Sequence, residues 1–248
     1  MSESARYEGR SAAELRAILD LPRVEVYDEL PSTQDAAHAL GEGGAPAGTL
    51  VVADGQSAAR GRGRRSWQSG TGAGIWMTLL ERPRDPLALG VLSLRMALRM
   101  APVLDRWTSA PVHVKWPNDL LVGGRKLAGL LTEARWRGDR LEWVAIGVGI
   151  NTRLPEGLDA AALDHGADRV AVLAELLPVM RAAAATPGTL SKAELARFTD
   201  RDATAGRRCR EPVRGVAAGI TADGALIIQN DDGAQTVRIG SLVLEELA

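Results

Sequence analysis

Between Val112 and Ile150 the chain is punctuated so closely that its local fold has little freedom. Four apolar runs, Val112–Val114, Leu120–Val122, Leu127–Ala134 and Leu141–Ile150, occupy this stretch, with Gly-Gly at 123–124 and Gly-Asp at 138–139 between the later ones. Short apolar runs bounded by such dipeptides read as strands joined by tight turns. Further strands are expected at Val24–Leu30, where apolar and polar residues alternate until Pro31, and at Leu50–Ala53 and Ile75–Leu80. Helices are expected over Ser11–Leu19, where Ser11 and Glu14 have capping-box spacing, and from Ser32 and Asp35 through Leu40. A mostly buried helix is expected from Leu87 to about Trp107, with Pro102 breaking its end, and two more over 170–184 and 190–200.

From Ala203 the helical pattern stops. The runs VRGVAAGI, ALIIQN, TVRIG and LVLEEL alternate with Ala-Asp-Gly and Asp-Asp-Gly turns, and read as short strands. A hairpin segment of about 45 residues is small to stand alone, so it is expected to dock on the main body. The fold class read from this pattern is α+β, with residues 1–202 as the main domain and 203–248 as a small all-β domain.

Composition narrows the function classes. The 30 basic and 31 acidic side chains nearly cancel, leaving a net charge of −1, which argues against a protein held to nucleic acid by bulk electrostatics. One cysteine, Cys209, excludes an internal disulfide framework and a multi-cysteine metal site. The N-terminal twenty residues carry charges throughout and do not resemble a secretory signal. The longest helical apolar stretch, Leu87–Leu104, is interrupted by Arg95 and Arg99, whereas a span needs about 18–20 apolar residues. A soluble, cytoplasmic protein with no membrane partner is expected.

Two segments carry candidate chemistry. In QSAARGRGRRSW, Arg60, Arg62, Arg64 and Arg65 fall close together, interleaved with Gly61 and Gly63. Such a tract repels itself and is expected to be mobile until an anion neutralises it, and guanidinium forks match phosphate or carboxylate oxygens. A solvated surface loop or an RNA-binding tract would have the same composition. Its place between two core strands, running into Trp67, favours a ligand-facing role. The second segment is Lys115-Trp116-Pro117-Asn118-Asp119, with Lys126 returning after the turn. Pro117 favours an extended Trp116 and so restricts where Lys115 can point; a plain strand-to-turn junction is the competing reading.

Weaker signals are Ser32-Thr33-Gln34-Asp35, a helix cap that also offers backbone N–H groups, and Gly147-Val148-Gly149-Ile150-Asn151. Glycine inside a strand often marks close approach by a ligand or another backbone. His38, His113 and His165 lack partners at metal-ligand spacing, and Cys209 lacks a nearby histidine, so none is assigned a role.

Taken together and in order, these segments resemble biotin–protein ligases over roughly residues 24–152. The matching residues are Ser32-Thr33-Gln34, Gln56, the loop Ala59-Arg60-Gly61-Arg62 with Trp67, and the intact Lys115–Asp119 string. Arg125-Lys126-Leu127-Ala128-Gly129-Leu130-Leu131 and Gly147–Asn151 complete the set. Gln34 stands where the family has asparagine, Ala59 replaces the first loop glycine, and Arg64 replaces a later one. The tail resembles the family's SH3-like C-terminal domain, a small β-barrel after a mixed-sheet catalytic domain. Some relatives carry a DNA-binding domain ahead of the catalytic one; the short stretch before Val24 implies a ligase without DNA binding.

The resemblance implies activation of biotin by ATP to biotinyl-5′-AMP, then transfer to a lysine of a biotin carboxyl carrier domain of acetyl-CoA carboxylase or a related carboxylase. It implies catalytic roles for Lys115 and Arg62. Biotin contacts are implied for Ser32, Thr33, Gln34, Gln56, Arg60, Gly61, Arg62 and Lys115. Nucleotide contacts are implied for Arg60, Trp67, Asn118, Lys126 and Asn151. Mg²⁺ is expected with ATP, Asp119 being its only named ligand. A homodimer is left open, and a lipoate or octanoyl ligase, an RNA-binding module and an idle biotin sensor are the competing readings.

Overall fold

The computed structural model describes residues 5–245, the Arg64 side chain excepted. The elements in chain order are α1 (Ala12–Ile18), β1 (Arg23–Leu30), α2 (Thr33–Glu42), β2 (Thr49–Gln56), β3 (Gly74–Glu81), α3 (Leu92–Leu104), β4 (Val112–Lys115), β5 (Asp119–Val122), β6 (Arg125–Arg137) and β7 (Arg140–Asn151). Then come α4 (Arg169–Ala185), α5 (Lys192–Arg201), β8 (Arg208–Glu211), β9 (Gly215–Ile220), β10 (Leu226–Asn230), β11 (Gly233–Val237) and β12 (Val243–Leu244). The capping box holds: the Ser11 side chain accepts from the Glu14 amide, and Glu14 accepts from the Ser11 amide at 2.7 Å.

The first seven strands form one mixed sheet in the order β1-β2-β3-β7-β6-β5-β4. Only β1 and β2 pair in parallel, α2 supplying the crossover, while the tight turns make β4 to β7 an antiparallel meander. Alternation assigns the two faces. On β7, Val144, Ile146, Val148 and Ile150 enter the main core with α3 and α4, while Ala145, Gly147 and Gly149 face the other way. There α2 packs over Leu30, Val51, Ala53 and Ala145. Gly41 lets that helix close down, since a Cβ there would lie 2.7 Å from Trp143.

The expected helix from Leu87 begins as a 3-10 turn over Pro86–Val91 and becomes α-helical at Leu92. Pro102 does not end it: the proline sits inside the last turn of α3, where its missing amide leaves only the Leu98 carbonyl without its helical donor. The window Pro86–Trp107 is long and apolar enough by composition to cross a membrane, with mean hydropathy 1.6, but 61% of it is buried within the fold.

The C-terminal strands form an antiparallel sheet in the order β11-β10-β9-β8-β12. Among the described residues β11 and β12 do not pair with each other, so the sheet is open rather than the closed barrel expected. Strand β8 was not anticipated, because Arg208-Cys209-Arg210-Glu211 shows one buried apolar residue only, Cys209. The last apolar run, LVLEEL, lies partly outside the described residues. As expected, the sheet docks on the body: the Trp116 Nε1 donates to the Gly224 carbonyl at 2.9 Å, and Leu226, Ile228 and Leu242 join the main core.

Candidate active site

On the glycine-bearing face of the large sheet lies a cavity of about 530 Å³. Its floor is made where Gly147, Gly149 and Gly129 lie on neighbouring strands, Gly149 facing Gly129 in register. The glycines make room for side chains rather than for backbone. A Cβ on Gly147 would come within 2.6 Å of Gln34 Oε1, and one on Gly149 within 2.7 Å of Trp67 Nε1.

At the end over β2, β3 and β7 the lining is neutral and hydrogen-bonded. Ser32 caps α2, accepting from the Gln34 amide at 3.3 Å. Gln56 Oε1 accepts from both the Thr33 amide (2.8 Å) and the Thr33 hydroxyl (3.1 Å), and its amide donates to Ser69 at 3.1 Å. Gln34 donates to the Ala145 carbonyl at 3.0 Å. Thr78, buried on β3, places its hydroxyl 2.9 Å from that of Thr33 and 3.1 Å from Gln34 Oε1. These bonds fix the rotamers of six polar side chains. A neutral heterocycle with carbonyl and N–H groups suits that lining.

The other end, over β5 and β4, is cationic. Six basic side chains line the cavity, Arg60, Arg62, Arg65, Lys115, Lys126 and Arg207, against one carboxylate, Asp119, among the described residues. They are not equivalent. Lys126 pairs with Asp119 at 2.7 Å and sits over the Trp67 ring at 4.8 Å. Arg60 grips Asp35 bidentately at 2.6 and 2.9 Å and reaches Glu133 at 3.3 Å. Arg62 makes only a 3.5 Å contact with Asn118 Oδ1. Lys115, Arg65 and Arg207 have no side-chain hydrogen bond or ion pair among the described residues. Burial, with the charges of Lys126, Arg207 and Arg65, holds the Lys115 ammonium below the ordinary lysine pKa, and Asp119 opposes them. Burial likewise lowers Arg62.

The Gly/Arg tract folds into a local turn. Residues Arg62–Arg64 form a 3-10 turn in which Gly63 takes a positive φ of 64°, and the Gly61 amide donates to the Arg65 carbonyl at 2.7 Å. Two anchors explain it: Trp67 seated on the strand glycines, and Arg60 neutralised by Asp35 and Glu133. Glu133 also accepts from His38 Nε2 at 3.1 Å, while His38 Nδ1 accepts from the Trp143 indole at 3.1 Å. An indole only donates, so the imidazole proton lies on Nε2.

The structure brings Ser32, Thr33, Gln34, Gln56, Arg60, Gly61, Arg62, Trp67, Lys115, Asn118, Asp119 and Lys126 to this cavity. It does not bring Asn151, whose amide donates to the carbonyls of Lys126 (3.3 Å) and Ala161 (3.0 Å), tying the end of β7 to flanking chain. Asn118 is similarly engaged, donating to the Leu130 carbonyl at 2.7 Å, and so holds its turn against β6. Asp119, the expected magnesium ligand, is paired with Lys126 at 2.7 Å, and no group of three His, Cys, Asp or Glu side chains converges among the described residues. Sequence reasoning missed Thr78, Arg207 and Ser241–Leu244, all cavity residues. Thr78 looked like any strand residue, and the others arrive only when the C-terminal sheet docks.

A model of the biotin/lipoate A/B protein ligase family matches residues 26–151, just over half of the chain. The chain belongs to this family. Residues 206–243 match a model of the biotin protein ligase C-terminal domain. It is 32% identical over 212 residues to the biotin–[acetyl-CoA-carboxylase] ligase of Mycobacterium tuberculosis, covering 78% of this chain and 77% of that one. It is 45% identical over 126 residues to the bifunctional ligase/repressor BirA of Bacillus subtilis, covering 50% of this chain. That match spans only 39% of the Bacillus protein. The fold is similar to that of the Aquifex aeolicus biotin protein ligase in complex with biotin and ATP, with a TM-score of 0.74, 24% identity, and 92% of this chain and all of that one covered.

Proposed function

We propose that this protein is an ATP-dependent biotin–protein ligase that loads a biotin carboxyl carrier domain of acetyl-CoA carboxylase or a related carboxylase. The observation that carries this reading is the layout of one cavity: a neutral hydrogen-bonding end, then a half-buried lysine without an acid partner, then further unpaired cations. Neighbouring strands are about 4.8 Å apart, so the sheet from β3 to β4 spans on the order of 19 Å, long enough for biotin and a nucleotide end to end. Ser32, Thr33, Gln56 and Thr78 suit the ureido ring, with Gln34 holding them in place. The family membership and the similarity to ligases of Mycobacterium tuberculosis and Aquifex aeolicus support the same assignment.

In the first step an oxygen of the biotin carboxylate attacks the α-phosphorus of ATP. The bond to the β-phosphate oxygen breaks and pyrophosphate leaves. Two anions must meet, so fixed positive charge is needed where they do. Lys115, at the cationic end of the cavity, provides it, assisted by Arg62. In the second step a carrier lysine amine attacks the acyl carbon, the acyl–oxygen bond to AMP breaks, and the amine loses a proton. Lys126 and Trp67 cover the nucleotide side, and Arg60, anchored on Asp35 and Glu133, sets the position of the Gly/Arg loop. No step here is assigned to a protein-held ion. We further divide the chain into a catalytic domain, residues 1–202, and a docked C-terminal domain, residues 203–248.

The test is incubation with biotin, MgATP and a biotin carboxyl carrier domain, read by streptavidin blot, with lipoate offered in parallel. Carrier labelling that requires both biotin and ATP is expected. Labelling by lipoate alone, or none, would overturn the proposal.

A further inference from the structure

We propose that Asp35 and Glu133, the latter oriented by His38, are positioning residues that hold Arg60 as the anchor of the Gly/Arg loop and so set how tightly the cavity retains biotin. The inference rests on the ligase reading and deepens it.

The four side chains meet between α2 and the large sheet. Asp35 and His38 stand three residues apart on α2 and so share a face of that helix. On the sheet, Glu133 of β6 lies opposite Ala145 of β7, on the face that α2 covers. The indole of Trp143 donates to His38 Nδ1 at 3.1 Å, which leaves the ring proton on Nε2, 3.1 Å from Glu133 Oε2. The histidine therefore donates to Glu133 even as a neutral imidazole. The same Oε2 accepts from Arg60 Nη2 at 3.3 Å, while Asp35 takes both terminal nitrogens of Arg60 at 2.6 and 2.9 Å. Those bonds hold the Asp35 carboxyl below the ordinary aspartate range, so both members of the bidentate pair are charged at neutral pH.

Arg60 stands at the stem of the loop. It bridges Ser66, the Trp67 amide donates to the Ala59 carbonyl at 3.0 Å, and the Trp67 ring rests on Gly149. Clamping Arg60 therefore fixes where Arg62, two residues on, enters the cavity. Two acids on one guanidinium also separate an anchor from a ligand group. If Arg60 itself gripped an anionic ligand, Asp35 and Glu133 would compete with that ligand, and neutralising either would tighten binding. An anchor requires the opposite sign, because neutralising an acid loosens the loop.

Biotin affinity of the full chain, measured by titration calorimetry, decides between them. Glu133→Gln keeps the size of the side chain and is expected to weaken biotin about three- to tenfold, the range left to a partly exposed charge-assisted bond. Arg60→Ala should weaken it by a similar factor, and the double variant should be no weaker than Arg60→Ala alone. His38→Ala should follow Glu133→Gln, and His38→Gln, which returns an amide donor toward Glu133, should recover most of the loss. In biotin-dependent ATP–pyrophosphate exchange, Glu133→Gln should raise the KM for biotin and leave kcat near the wild-type value. Biotin binding that is unchanged or tighter in Glu133→Gln overturns the proposal, as do additive losses in the double variant or a fall in kcat at unchanged KM. Trypsin cleavage of the free protein within residues 60–65 reads the clamp without any ligand. It should be faster in Glu133→Gln, and a wild-type rate overturns the proposal. Wild-type protein that binds no biotin, while Glu133→Gln is still cleaved faster, sinks the ligase reading and leaves the clamp standing.

Discussion

On the core side of the large sheet Arg95 is fully buried and every arm of its guanidinium is engaged. Its Nε donates to Glu194 at 2.7 Å, and its terminal nitrogens reach the carbonyls of Thr186, Gly188 and Thr189 at 2.8–3.2 Å. On the cavity side, Lys115, Arg65 and Arg207 converge without an ion pair or side-chain hydrogen bond among the described residues, the nearby Asp119 being engaged with Lys126. The first arrangement staples α3 to α5 and to the loop between α4 and α5. The second is poor as a way of holding a fold together, because like charges brought together in a half-buried site repel. Paired charge here marks architecture, and unpaired charge marks a place kept for an anion. The same contrast runs inside the cavity, where Lys126 and Arg60 have carboxylate partners and position the lining.

The largest test of this contrast lies at the architectural end. Arg95→Ala leaves the buried Glu194 carboxylate with the Ser191 amide and hydroxyl but without its cationic partner, a change that costs about 3–5 kcal/mol. A lower denaturant midpoint at unchanged slope is expected, with biotin-dependent activity per folded molecule retained. If activity fell while stability held, Arg95 would belong with the functional cations.

Lys115 should behave the other way round. Removing one preorganised charge aimed at the reacting atoms typically costs about 10²–10³ in rate. Lys115→Ala is expected to lose biotin-dependent ATP–pyrophosphate exchange on that scale without loss of stability. Lys115→Arg should fail nearly as badly, since Arg62 and Lys126 already crowd the site and a planar fork cannot take the place of a compact ammonium. The chain supports the distinction: 27 of its 30 basic residues are arginine, yet Lys115 is not. Near-normal exchange by the arginine variant would remove Lys115 from its central role.

What could be read in advance follows the range of the interactions. The meander β4–β7 was legible because Gly-Gly and Gly-Asp turns join neighbours along the chain, and the alternation Ala145-Ile146-Gly147-Val148-Gly149-Ile150 already separates a bulky face from a bare one. Ser11 and Ser32 were legible as caps for the same local reason. Asn151 misled because an asparagine after two strand glycines looks poised for a ligand. Its amide is instead consumed by two carbonyls, one of them ten residues further on. Arg207 could not be read at all. Its place depends on docking between Trp116 and Gly224, 108 residues apart, and no local pattern encodes such a contact. The departure at Gln34 was visible, but its consequence was not. The longer amide reaches Ala145 across the sheet and occupies the space that Gly147 leaves open.

The subtlest test concerns the one acid in the cationic end. The ammonium of Lys115 is held below the ordinary lysine value first by burial and then by Lys126, Arg207 and Arg65, and Asp119 works against all of them. Only the protonated form can stabilise the meeting anions. The rate of biotin-dependent exchange should therefore fall as pH rises through this depressed pKa, before an ordinary lysine would titrate. Bound phosphates favour the charged form, so the alkaline limb of kcat should lie above that of kcat/KM. Asp119→Asn removes the opposing carboxylate and also frees Lys126 of its partner. Both changes disfavour the Lys115 proton, and the alkaline limb of kcat/KM should move to lower pH while the rate on the acid side of that limb changes little. Profiles that superimpose would mean that Asp119 serves Lys126 alone and that the limb belongs to some other group.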